Sequence, residues 1–123
     1  MLDALVYLVA AVFAGLGLYG LARPAGVLAT FDVAVESAEG RNEVRAVYGG
    51  FGLAVAALLG VAAAGEGGVR EGILVAVGFA LAGMAAGRLV SALADRHASA
   101  YPVATFLGIE IAAAALLLAA AWA

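Results

Sequence analysis

Glu43, Arg45, Tyr48, Arg88 and Glu110 are the residues of this chain whose types and spacing could do chemistry. Each lies inside or at the edge of a long apolar run, where an ionisable group costs at least about 2.5–3.5 kcal/mol. Groups kept at such a cost face inward, find partners and mark binding or proton-transfer sites. Arg88 stands seven residues before Asp95, and Glu110 eight residues after Pro102. At 1.5 Å per residue the two sit about 10 and 12 Å along their helices. Antiparallel helices joined by a short loop bring them to one level, so the spacing predicts a buried Arg88–Glu110 ion pair.

Arg45, Tyr48, Gly49 and Gly52 recur at i, i+3, i+4 and i+7, a stripe along one helix face. Tyr48 would lie about 9 Å in, at the level of Arg88 and Glu110. Glu43 is two positions from Arg45 and points elsewhere. The charges of Glu43, Arg45, Arg88 and Glu110 cancel, as a buried cluster requires. Two uses stay open. The cluster fixes helix register, the best-attested role of buried polar groups, with Arg45 and Glu43 reaching toward water. Alternatively, it binds or processes a lipid-soluble molecule.

Other chemistries lack their residues. Without cysteine there is no disulfide, thiolate catalysis or Cys-ligated metal. His97, the only histidine, sits in a polar loop with Asp95, Arg96 and Tyr101, and one histidine makes no metal site. It reads as a solvated loop residue or a proton carrier. Neither a phosphate loop nor a nucleophile constellation is visible, and no cofactor or metal is expected. Nor is nucleic acid a partner: the formal net charge is −3, and no basic patch exists to neutralise phosphates.

What positions these residues is a chain 67% hydrophobic, with mean hydropathy +1.13. Soluble domains run nearer 45–50% apolar, and 123 residues have too little interior to hide the surplus. The lipid bilayer is therefore the expected environment. Apolar runs cover about 4–22, 42–64, 71–94 and 102–123, each near the roughly 20 residues a bilayer core needs. They are too continuously apolar for barrel strands. The expectation is all-α: a single transmembrane domain, a four-helix bundle spanning residues 1–123. No positive residue precedes the first run, and Pro24 sits where a signal-peptide cleavage site would fall, so that run reads as a retained helix.

The first connection, Arg23 to Arg41, is the longest. Val27, Leu28, Phe31 and Val35 recur at helical spacing, with Asp32, Glu36 and Glu39 on another face. Pro24 suits a helix start and Gly40 a stop. The pattern reads as an amphipathic helix on the membrane surface or as an ordered loop packed over the bundle. Arg23, Arg41 and Arg96 fall in the first and third connections, with only Arg70 opposite. By the positive-inside rule those loops are cytoplasmic and both termini outside. Gly15, Gly17 and Gly20, then Gly49, Gly50 and Gly52, then Gly83 and Gly87 allow close helix approach. They serve packing within one chain or a homo-oligomer through Gly-rich faces. Trp122 suits the aromatic belt.

The pattern Asn-Glu-x-Arg-x-x-Tyr-Gly-Gly at Asn42 to Gly50, with Glu39, Gly87-Arg88 and Glu110, resembles a family of small bacterial four-helix membrane proteins of unknown function, broadly DoxX-like. The resemblance covers the whole chain. It implies the fold, supports the chosen polar positions and places the protein in a bacterial inner membrane, but it brings no activity. Three functions remain. The first is binding of a small amphipathic or lipid-like molecule at the polar cluster in the cytoplasmic half, with Arg45 and Arg88 meeting an anionic or carbonyl group and Tyr48 adding a hydrogen bond. The second is an enzyme using Glu110 as general acid or base on a lipophilic substrate. The third is a structural or accessory subunit of a membrane complex.

Overall fold

The computed structural model describes residues 1–123 and contains no strand. In chain order the helices are α1 (Leu2–Ala22), α2 (Pro24–Ala29), α3 (Ala38–Val44), α4 (Phe51–Ala64), α5 (Gly67–Asp95) and α6 (Thr105–Ala121). A π-helical turn, Arg45–Gly50, joins α3 to α4 without a break, and a second, Ala100–Ala104, leads into α6. The four helices long and apolar enough to cross a membrane are Leu2–Ala22, Ala38–Ala64, Gly67–Asp95 and Ala100–Ala121. Only 22–33% of each apolar window is buried. Side chains such as Leu8, Leu18, Phe51, Phe79 and Val90 face outward. Water would not tolerate that much exposed hydrocarbon, and lipid favours it. This is a multi-pass membrane protein.

The chain divides into two compact units, Tyr7–Val61 and a second made of Met1–Val6 with Ala62–Ala123. In the first unit, glycines let α1 and the Ala38–Ala64 helix touch backbone to backbone. A methyl added at Gly17 would stand 2.9 Å from Gly49 O and 2.9 Å from Leu53 N. One added at Gly20 would stand 3.0 Å from Gly49 N. Close approach of this kind gains the dispersion contacts that hold helices together in lipid. Gly83 and Gly87 behave differently: nothing lies within 4 Å of a methyl at either, so their face is unused inside the chain.

The second unit is built on an antiparallel seam. Leu74, Gly78, Leu81 and Ala85 form the buried stripe of α5, and Ala114, Leu117 and Ala121 that of α6. Gly78 receives Leu118, whose Cγ would lie 2.8 Å from an added methyl. Tyr101 is extended, so the helical run proper opens at Pro102, whose peptide bond with Tyr101 is cis.

Of the two readings left open for the first connection, a single amphipathic helix from Pro24 to Gly40 is not what forms. Pro24 does open α2, but the helix stops after Ala29. Val33 N donates to Leu28 O and Asp32 N to Ala29 O, each at 3.0 Å, with Asp32 at φ 60°. That is a Schellman-type stop with aspartate in the left-handed position usually given to glycine. A new helix then starts at Ala38, because Ser37 Oγ accepts from Gly40 N at 3.0 Å. Gly40 thus lies in a first turn rather than beyond a last one.

Gly17→Ala should destabilise the protein by about 1–3 kcal/mol, because the methyl meets backbone that cannot yield. Gly83→Ala should be neutral or slightly stabilising. Thermal melts of both variants in detergent check this, and equal melting temperatures would remove the close α1 contact as a stabilising feature.

Candidate functional site

The five candidate residues fall into two groups, one in each unit. Arg88 and Glu110 extend the α5 and α6 stripes. Arg88 follows Leu81 and Ala85 on α5, while Glu110 precedes Ala114 and Leu117 on α6. The seam that buries leucine and alanine therefore also buries Glu110 and half-buries Arg88. Arg88 Nε donates to Glu110 Oε2 and Nη2 to Oε1, both at 2.8 Å, a bidentate pair. Glu110 is 5% exposed, and no buried side-chain polar atom in the chain lacks a partner. The guanidinium also stands over the Phe106 ring, 5.6 Å from its centroid, within reach of a cation–π attraction. Phe106 in turn lies 6.2 Å from Tyr101, centroid to centroid. Sequence reading missed Phe106, although its position four residues before Glu110 puts both on one face.

Arg45, Glu43 and Tyr48 belong to the other unit, and the structure parts Arg45 from the other two. Arg45 Nε donates to Leu21 O at 3.0 Å. That carbonyl lies in the last turn of α1, where no helical N–H remains to satisfy it, so Arg45 acts as a helix cap. Gly49 and Gly52 are buried, whereas Tyr48 is 42% exposed. Of the expected common face, Arg45, Gly49 and Gly52 all meet α1, and only Tyr48 leaves it at the π turn. An i→i+5 ladder winds less per residue than an α-helix and swings Tyr48 away from the glycines.

Tyr48 and Glu43 share an open cleft of about 440 Å³. Its helical wall is Gly40, Glu43, Val44, Val47 and Tyr48, spaced i, i+3, i+4, i+7 and i+8. Facing it is the first connection, including Leu28, Val33 and Glu36. Arg45 does not line it. Sequence reading singles out Glu43 and Tyr48 but not this face, placing Tyr48 on a stripe with Arg45, Gly49 and Gly52. The opposing wall depends on the Asp32 turn, which no spacing reveals.

A second cation is also committed. Arg70 Nη1 donates to Ala62 O at 2.7 Å, and its Nη2 lies 2.8 Å from Asp3 Oδ1. It caps the end of α4 and ties the start of α1 to the start of α5. The only hint in the sequence is that both residues lie in the first turn of a long apolar helix. Asp95 and His97 are exposed beyond the Arg88 level, at the left-handed Arg96 turn that closes α5.

With this geometry in hand, one comparison is decisive. The model of the family described as Domain of unknown function (DUF4345) matches residues 1–121. The chain belongs to the DUF4345 family. No curated protein and no solved structure matches it. The DUF4345 description carries no activity, in keeping with what the Asn42–Gly50 motif implied.

Removing one partner of a buried pair leaves the other charge uncompensated. Arg88→Ala and Glu110→Gln should therefore each destabilise by about 3–5 kcal/mol. Arg88→Met combined with Glu110→Leu should recover most of that loss. A double-mutant cycle on thermal or denaturant stability measures the coupling, and additive losses would show that the pair is not a unit.

Proposed function

We propose that this DUF4345 protein binds a small amphipathic or lipid-like molecule in the cleft between its first connection and the Gly40–Tyr48 face. The observation that carries the reading is the cleft itself, about 440 Å³ with valine and leucine walls and a few polar groups. Ligand sites have this composition and fall in a range of about 300–1,000 Å³. In the proposal Glu43 and Tyr48 contact the ligand, and Arg45 holds the wall in place by capping α1. Arg88 and Glu110 lock the other unit.

The acid–base alternative asks Glu110 to meet a substrate. Both its oxygens are already engaged by Arg88 at 2.8 Å, which favours the binding reading. A finer affiliation with the DoxX-like group, and a bacterial inner-membrane location, rest on the Asn42–Gly50 motif. Arg23, Arg41 and Arg96 support cytoplasmic first and third loops, which would place the cleft in the cytoplasmic half.

Native mass spectrometry of gently solubilised protein tests the binding. Wild type should carry a discrete small molecule. Val47→Trp, at a half-exposed position on the cleft wall, should lose it while keeping its thermal stability. Retention by the filled cleft would rule the site out. Orientation is checked separately, since a chain without cysteine permits single-cysteine labelling. Gly68→Cys should react with an impermeant maleimide on intact cells, and Glu39→Cys only after lysis; the reverse pattern would invert the topology.

A further inference from the structure

We propose that the cleft selects amphiphiles with a cationic head group, an amine or ammonium, over anionic ones. The inference rests on the binding reading above and adds the chemical class of ligand. Glu36 and Glu43 are the only charged residues on the cleft wall. Both are exposed, and neither carboxylate has an ion-pair partner in the chain. The arginines that could have neutralised them are turned to backbone. Arg41 Nη1 donates to Glu36 O at 3.2 Å, and Arg45 Nε to Leu21 O. Neither lines the cleft.

An anionic head group would meet two like charges and no cation among the lining residues. A cationic one finds two charged acceptors, whose hydrogen bonds are roughly twice as strong as neutral ones. Tyr48 adds an aromatic face and a hydroxyl oxygen, both of which attract an ammonium. The wall is also graded. Gly40 and Glu43 come first along the helix, and Val47 lies about 6 Å further on. A single-chain amphiphile would rest its head at Glu36 and Glu43 and its tail along Val44 and Val47. The sequence reading instead pairs Arg45 and Arg88 with an anionic or carbonyl group, and neither arginine lines this cleft.

The test uses three photoreactive probes with one twelve-carbon diazirine tail and an amine, alcohol or carboxylate head. Full-length protein is held in an uncharged maltoside detergent, and adducts are mapped by mass spectrometry. The amine probe should label the Leu28–Tyr48 segment about tenfold more than the carboxylate probe, a ratio equal to one decade of affinity. In the Glu36→Gln, Glu43→Gln double variant, amine labelling should fall to the level of the alcohol, while alcohol labelling stays unchanged. Both positions are exposed, so the variant should keep the wild-type melting temperature. Carboxylate labelling equal to or above amine labelling would overturn the charge preference and leave the cleft standing. Amine labelling unmoved by the double variant would do the same. No labelling of the segment by any probe would overturn the binding site itself, and the preference with it.

Discussion

In a hydrocarbon solvent no water completes an unfinished hydrogen bond, so each polar group of this chain must be satisfied from within. That constraint reaches every level of the structure. It makes the spans helical, because a helix pairs its own backbone. It also makes helix ends the weak points, since the last carbonyls have no helical donor. Two of the six arginines are spent there, Arg45 on Leu21 O and Arg70 on Ala62 O. Serines serve at the other ends. Ser37 Oγ accepts from Gly40 N, and Ser99 Oγ from Val103 N.

The same constraint explains why two charges lie in the α5–α6 seam. Arg88 and Glu110 stand on stripes otherwise filled by leucine, alanine and glycine, and each guanidinium nitrogen that donates to Glu110 finds its own oxygen. Hydrophobic packing between two smooth, alanine-rich helices permits many offsets along their axes. An ion pair with fixed bidentate geometry permits one. Any slip of α6 along α5 would strand a charge in an apolar seam, a loss larger than the dispersion gained by alternative packing. Phe106 reinforces the arrangement by covering the guanidinium.

What was legible in the sequence follows from the range over which each interaction acts. Four spans follow from hydropathy alone, because lipid reads composition. The Arg88–Glu110 pair was legible because a short loop and a fixed rise per residue convert sequence distance into depth. Of the cleft, only Glu43 and Tyr48 were picked out in the sequence, and on different faces. Its helical wall repeats with helical spacing, but its other wall exists because Asp32 adopts a left-handed φ and ends α2 early. Aspartate tolerates that conformation without announcing it. The role of Arg45 was hidden for a related reason. An arginine near a membrane surface reads as a ligand contact, and nothing in its neighbours reveals the unsatisfied carbonyl of Leu21, twenty-four residues away.

The π turn at Arg45–Gly50 reconciles close packing on α1 with the shape of the cleft wall. In an uninterrupted α-helix, Tyr48 and Gly52 would share a face, and a tyrosine would lie where α1 demands a glycine. Gly52 is buried with Gly17 Cα only 3.3 Å from where its methyl would be, so no ring could fit beside it. Widening one turn separates the demands: Gly49 and Gly52 seat on α1, and Tyr48 turns into the cleft. Such turns are rare, and occur mostly as single turns set inside α-helices. Packing alone gives no reason to keep a tyrosine here, since a small residue at position 48 would let the α-helix run through. The turn leaves the Tyr48 ring on the cleft side of the helix, away from the glycine face that packs on α1.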